Sequence, residues 1–259
     1  MRYRIILNYC GAGFSGWQVQ PGQESVQGAV ESALETLLSA PVQIVGAGRT
    51  DTGVSACGYV AHFDWDGEAP DCGLLRYKMN SLLPDGISVT LVEPAQDDFH
   101  ARFDAVSRTY RYFLHRTKDP FLADRSYFYG YPELDFEAMN KAAALLLGKH
   151  NFTCFEKKGS DNRTSICTVT AAEWKKYTPA VCAGGGECWY FEISADRFLR
   201  NMVRAVTGTL LEVGRGKRSV EDFASLVLPP DFDAGEKPLR SLAGESVPGH
   251  ALFLTEIRY

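Results

Sequence analysis

The segment Gly46-Ala47-Gly48-Arg49-Thr50-Asp51-Thr52-Gly53-Val54 holds the residue types best suited to chemistry. Its glycines bracket an extended stretch in which Arg49 and Asp51, two apart, could face the same way and set a carboxylate beside a guanidinium. Such a neighbour favours the ionised carboxylate, and an ionised, positioned Asp serves as nucleophile, general base or metal ligand. The same spacing also fits a plain turn in which Asp51 caps nearby amides. A second constellation is Arg108-Thr109-Tyr110-Arg111-Tyr112, where strand alternation puts Arg108, Tyr110 and Tyr112 on one face. A third is the run Phe198 to Val213. Read as a helix, it carries Phe198, Met202, Val206 and Leu210 as an apolar stripe and Arg197, Arg200 and Arg204 on another face.

The surrounding elements must position these groups. Arg2 to Tyr9 alternates as a strand with Tyr3, Ile5, Leu7 and Tyr9 on one side. Gly11, Gly13 and Gly16 then interrupt it. Ser25 is an N-cap for a helix whose apolar positions Val26, Ala29, Val30, Ala33, Leu34 and Leu37 run until Pro41. Short strands are expected over 42–45 and 59–63, a second helix over 74–83 closed by Pro84-Asp85-Gly86, and a strand over 87–92. The second half repeats this kind of order, with strands over 110–115, 165–177, 189–194 and 252–259 and helices over 136–147 and 198–213. Loops are expected over 179–187, around Gly184-Gly185-Gly186, and over 229–238. A parallel dinucleotide-binding sheet is disfavoured, because Gly11-Ala12-Gly13-Phe14-Ser15-Gly16 opens no immediate helix.

The 259 residues fit one large domain or two small ones, with 45% hydrophobic and 23% charged residues, an ordinary globular composition. The N-terminal alternation differs from a leader peptide, and no apolar run reaches the roughly 18 residues of a membrane span. A soluble, cytoplasmic protein is expected. Seven cysteines (Cys10, Cys57, Cys72, Cys154, Cys167, Cys182, Cys188) form no C-x-x-C pair, so they read as reduced thiols used mainly in packing, Cys57 included. Scattered histidines argue for no metal site. The formal net charge of -5 would oppose a nucleic-acid partner. Bases nevertheless crowd two regions, Arg102, Arg108, Arg111, Arg116, Lys118 and Arg125, then Arg197, Arg200, Arg204, Arg215, Lys217 and Arg218, so a basic groove on an acidic body is allowed.

Taken in order, several motifs resemble the tRNA pseudouridine synthase A family nearly end to end. They are Gly16-Trp17-Gln18 with Ser25-Val26-Gln27, Ala47 to Val54, Asn80-Ser81-Leu82-Leu83-Pro84, Phe99-His100-Ala101-Arg102-Phe103, Arg108 to Tyr112, Gly148-Lys149-His150-Asn151-Phe152 and Phe198 to Arg204. The chain departs from the family with Ser55 where His is frequent, Tyr59 where Gln is frequent, and Val247 to Leu252 in place of a variant ending in Gly-Leu. The resemblance implies an isomerase that converts uridines 38, 39 and 40 of the tRNA anticodon arm to pseudouridine on a flipped-out base, with Asp51 as nucleophile and no cofactor. By the same resemblance Tyr110 contacts the substrate, stacking on the base or relaying a proton. Arg204 supports the Asp51 charge, and Arg49 is left for phosphate or for the space vacated by the base. Leu252 is the apolar wall of the uracil pocket, and a homodimer binds the tRNA.

The fold expected is α+β, in two similar halves, each an antiparallel sheet flanked by helices, with the active-site cleft between them. The first, 1–105, carries Asp51, and the second, 106–259, carries Tyr110 and the basic helix. A non-catalytic RNA-binding module would keep the basic residues and tyrosines without needing Asp51. A Cys-dependent hydrolase lacks a supporting signature.

Overall fold

Alternation in the first strand organises the N-terminal unit. In the computed structural model, which describes residues 1–157, 159, 164–181, 186–232 and 240–259, β1 (Arg2–Tyr9) turns Tyr3, Ile5, Leu7 and Tyr9 inward. The described chain forms two compact units, Met1–Arg108 with Phe253–Tyr259, and Thr109–Leu252.

In the first unit, α1 (Val26–Leu38) begins where the Ser25 hydroxyl accepts the Gly28 N–H, as the sequence implies. It stops at Ser39, whose φ of 56° is left-handed, two residues before Pro41. Next come β2 (Ile44–Gly46), β3 (Ser55–Asp64), α2 (Cys72–Leu82) and β4 (Ile87–Ala95). The Asp71 carboxylate caps Leu74 and starts α2 earlier than apolar spacing indicates. Antiparallel ladders run β4 to β1 to β3, with Ile5 opposite both Ala61 and Val92. The terminal strand β10 (Leu252–Arg258) then joins β3 in parallel, Phe253 opposite Ser55. That long-range parallel ladder departs from an all-antiparallel sheet, and local periodicity does not encode it. Asn80 ties α2 to the strand beside it, donating to the Val89 carbonyl at 2.8 Å and accepting the Val89 N–H at 2.7 Å.

The second unit contains most of β5 (Ser107–His115), then β6 (Tyr127–Phe128), α3 (Phe136–Ala144), β7 (Gly148–Asn151), β8 (Ile166–Tyr177), β9 (Cys188–Ala195), α4 (Met202–Gly214) and α5 (Val220–Ala224). Its sheet runs β5-β9-β8-β7, with β6 parallel to the end of β5. The 8–9 hairpin is antiparallel, Trp174 opposite Phe191, and both rings are buried. Cys182, Gly184 and Gly185 of the expected hairpin loop lie outside the described residues, as does most of the 229–238 loop.

The helix expected over 198–213 is shorter at its N-terminal end and is not basic. Asn201, with φ 65°, interrupts the chain, so α4 starts at Met202, and Arg197 and Arg200 precede it. The helix is buried almost all round, from Met202 and Val203 through Ala205 to Leu211, so it has no basic stripe. Cys57 is exposed, against the packing reading, whereas Cys154, Cys167 and Cys188 are buried thiols. No helix among the described residues is long and apolar enough to cross a membrane.

His62 on β3 is 3% exposed, and its Nδ1 accepts the Ala101 N–H at 3.1 Å. Burial, reinforced by Arg2 and His100, pulls its imidazole from 6.5 down to about 4, with Asp64 and Asp104 opposing. Between those values the unfolded chain binds more protons than the folded one. This contribution to stability is therefore full above about 6.5 and is lost as pH falls towards 4. Thermal melts across that window should show a melting temperature that drops with acidity, and His62→Gln should flatten the slope. An unchanged slope in the variant would show that His62 does not drive it.

Candidate active site

Asp51 rides on the loop from β2 to β3, and that loop is fastened at nearly every residue. Ala47 donates its N–H to the Val60 carbonyl at 2.9 Å, and its own carbonyl accepts from the Arg108 guanidinium at 3.1 Å. Gly48 gives its N–H to the Tyr59 hydroxyl at 3.2 Å, and the same hydroxyl donates back to the Gly48 carbonyl. Thr50 is only 7% exposed and turns inward, its Oγ1 2.9 Å from the Tyr9 hydroxyl. Its flanking neighbours stay outside the core, Arg49 exposed and Asp51 half-buried. A turn closes from Val54 N–H to the Asp51 carbonyl at 3.1 Å.

A second loop, Cys10 to Gln18, lies against the first. Trp17 donates its N–H to the Thr50 carbonyl at 3.2 Å, and Gly53 donates to the Phe14 carbonyl at 3.4 Å. The Gly11 N–H reaches the Ser55 hydroxyl at 3.0 Å. Only glycine permits this approach. A Cβ on Gly16, whose φ is +96°, would overlap the Thr50 carbonyl oxygen and stand 3.1 Å from the Asp51 carbonyl carbon. A Cβ on Gly11 would come within 2.5 Å of both the Gly53 and Val54 carbonyl oxygens.

The other candidates lie in the second unit. Tyr110 on β5 is half-buried, its ring edge-on to Phe198 with centroids 5.1 Å apart and planes at 87°. Arg204 in the first turn of α4 donates Nε to the Val247 carbonyl at 2.8 Å, while Val247 returns its N–H to the Arg204 carbonyl at 3.2 Å. This pair anchors the segment that leads to Leu252, which is 5% exposed at the start of β10. Tyr112, fully buried two residues beyond Tyr110, has a hydroxyl with no hydrogen-bond partner among the described residues. Burial pushes that phenol well above the ordinary range, Tyr127 adds to the rise, and the Arg204 charge opposes it. Arg49 and Asp51 thus share one loop, while Arg204 is tied to the segment ending at Leu252. Sequence reasoning missed Tyr9, Thr50 and Phe198 as supports. Gly16 was legible as a break after the first strand and, with Trp17, as part of a motif, but not as a contact with the Asp51 loop.

Several clustered bases are committed within the protein. Arg108 also donates to the Ala105 carbonyl at 2.8 Å and the Arg102 carbonyl at 2.7 Å. Arg111 pairs with Glu192 at 2.7 Å, and Arg218 with Glu212 at 3.0 Å. Arg116 donates to the carbonyls of Tyr129, Tyr131 and Pro132, and the Arg215 guanidinium lies 3.6 Å from the Tyr131 ring centroid. Arg49, Arg102, Lys118, Arg125, Arg200 and Lys217 are exposed. Among the described residues no group of three or more His, Cys, Asp or Glu is placed to share a metal ion.

Residues 142–259 match the family described as tRNA pseudouridine synthase. The chain is 46% identical to tRNA pseudouridine synthase A of Parabacteroides distasonis, covering 100% of this chain and 96% of that protein. It is 46% identical to the protein of the same name from Porphyromonas gingivalis, covering 100% and 97%. For the Bacillus licheniformis protein, also so named, identity is 38% with coverage of 100% and 99%.

The loop-on-loop packing predicts unequal costs for two alanine substitutions. Gly22 also has a positive φ, +71°, but nothing lies within 4 Å of its would-be Cβ. Gly22→Ala should therefore show backbone strain alone, about 1–3 kcal/mol. Gly16→Ala should exceed it by at least about 1 kcal/mol in urea unfolding, because a carbonyl must also move. Equal losses would contradict the close approach.

Proposed function

This chain belongs to the tRNA pseudouridine synthase family, and from that premise we propose that Asp51 is the nucleophile with which it isomerises uridines 38, 39 and 40 of the tRNA anticodon arm. The chain is an isomerase acting on tRNA, a function carried by identity along its whole length to proteins of that name.

The reaction breaks the bond from uracil N1 to ribose C1′, turns the ring, and joins C5 to C1′. C5 loses a proton and N1 gains one, so atoms and electrons balance without an added reagent. A carboxylate serves by attacking either the ring or the sugar carbon, and holding the fragment while it turns. The observation supporting Asp51 is its setting: a half-buried carboxylate on a loop whose neighbours are bonded into the sheet below. Positioning of that kind is where a nucleophile gains most of its advantage.

The remaining roles follow the same reading. Tyr110 offers an aromatic face for the flipped uracil, and its edge-on Phe198 neighbour orients that ring. Leu252 supplies apolar wall, Arg204 cationic support for the carboxylate, and Arg49 a planar cation for phosphate or for the gap left by the base. A cytoplasmic homodimer is the proposed working form.

Asp51→Asn should abolish pseudouridine formation while tRNA binding stays within about threefold, since the amide keeps the shape of the carboxylate but not its nucleophilicity. Turnover by the purified variant would remove Asp51 from the role. Binding should also weaken steeply with salt, log K falling by roughly 0.7–0.9 per phosphate neutralised for each decade. Lys217→Glu should weaken binding at unchanged single-turnover rate, whereas Arg218→Ala should act mainly on stability, because Arg218 is paired with Glu212. A flat salt response would refute phosphate tracking.

A further inference from the structure

We propose that Tyr59 is a positioning residue for Asp51, acting through the Gly48 peptide; this deepens the reading of Asp51 as nucleophile and rests on it. Tyr59 sits on β3 with 0% exposure. Its hydroxyl accepts the Gly48 N–H at 3.2 Å and donates to the Gly48 carbonyl. One buried side chain thereby bonds both backbone groups of a residue three positions before Asp51, fixing where the two peptides flanking its Cα lie and how they are turned. A second buried phenol, Tyr9, holds the residue next to Asp51 through the Thr50 hydroxyl at 2.9 Å.

The two phenols are themselves locked. The Trp17 ring lies over Tyr59 with centroids 4.1 Å apart, and Tyr9 meets Tyr59 edge-on at 5.5 Å and 64°. Gly46 makes room for this cluster, because a Cβ there would overlap the Tyr59 hydroxyl and stand 2.6 Å from the Trp17 ring. A phenylalanine at 59 would occupy nearly the same volume in the sheet. The two bonds the hydroxyl makes to Gly48 are directed at the loop, so its removal should move the loop more than it weakens the core. Misplacement of a nucleophile by about 1 Å costs on the order of 100-fold in rate.

The experiment compares Tyr59→Phe with the unaltered chain on unmodified tRNA transcript, measuring single-turnover rate at saturating tRNA, tRNA Kd and melting temperature. The expected result is a rate about 10- to 100-fold lower, with Kd within about twofold, at a temperature well below melting. Tyr9→Phe should lower the rate in the same way, and it carries the test if Tyr59→Phe fails to fold. Tyr3→Phe is the control, a buried phenol of the same sheet whose hydroxyl donates to the nearby Met1 sulfur at 3.1 Å. It should leave the rate unchanged. A wild-type rate in Tyr59→Phe, or a loss explained wholly by weaker tRNA binding, overturns the inference. Asp51→Asn run in parallel separates the two readings. If that variant turns over, the nucleophile assignment fails. If it is dead while Tyr59→Phe keeps the wild-type rate, only the positioning role fails.

Discussion

Two backbones in the first unit lie closer than side chains allow, and the placement of Asp51 depends on it. Gly11 and Gly16 bring one loop against the carbonyls of Thr50, Gly53 and Val54, and hydrogen bonds from Trp17 and Gly53 close the gap. Bonds between loops are individually modest, about 0.5–1.5 kcal/mol each. Their effect here is geometric: they leave the Asp51 backbone few alternative conformations. The aromatic cluster of Tyr9, Trp17 and Tyr59 supports the same loop from the sheet side, so the loop is braced from two directions.

The second unit uses a related device. Gly208 on α4 lies against the Glu245 carbonyl, which a Cβ would overlap, and Arg204 joins the Val247 backbone one turn away. A helix buried on nearly every side thus serves as a fixed rail for the segment that ends in Leu252. Arg204 is held through its own hydrogen bonds and does not lie on a solvated basic face. The wider basic clusters divide likewise into structural arginines, such as Arg108 and Arg111, and exposed cations. Sequence counts therefore overstate the charge available to a polyanion.

The elements legible in the sequence were those set by local rules. Alternation located β1, and the Ser25 cap with apolar spacing located α1, because burial and capping act within a few residues. The loop bearing Asp51 was legible from its bracketing glycines and the order of the motifs. Less legible was anything set by distant partners. The parallel docking of β10 beside β3 brings residues about 200 positions apart into register. The short strand β7 carries too little pattern to read, and the false start of the helix at Phe198 arose because the turn at Asn201 interrupts apolar spacing that continues through it. Tyr9 and Tyr59 read as core aromatics, and they are buried. Their hydroxyl partners could be found only once the loop was placed above them.

The loop carrying Asp51 is already ordered before tRNA binds, and amide hydrogen exchange on the free protein is the sharpest test of that order. The N–H groups of Trp17, Gly48, Gly53 and Val54 are all donors within this arrangement. They should exchange at least about 100-fold more slowly than in an unstructured peptide, since each bond must open first. Unprotected exchange at these four amides would contradict the account, because it would mean that the loop is not held until the substrate arrives.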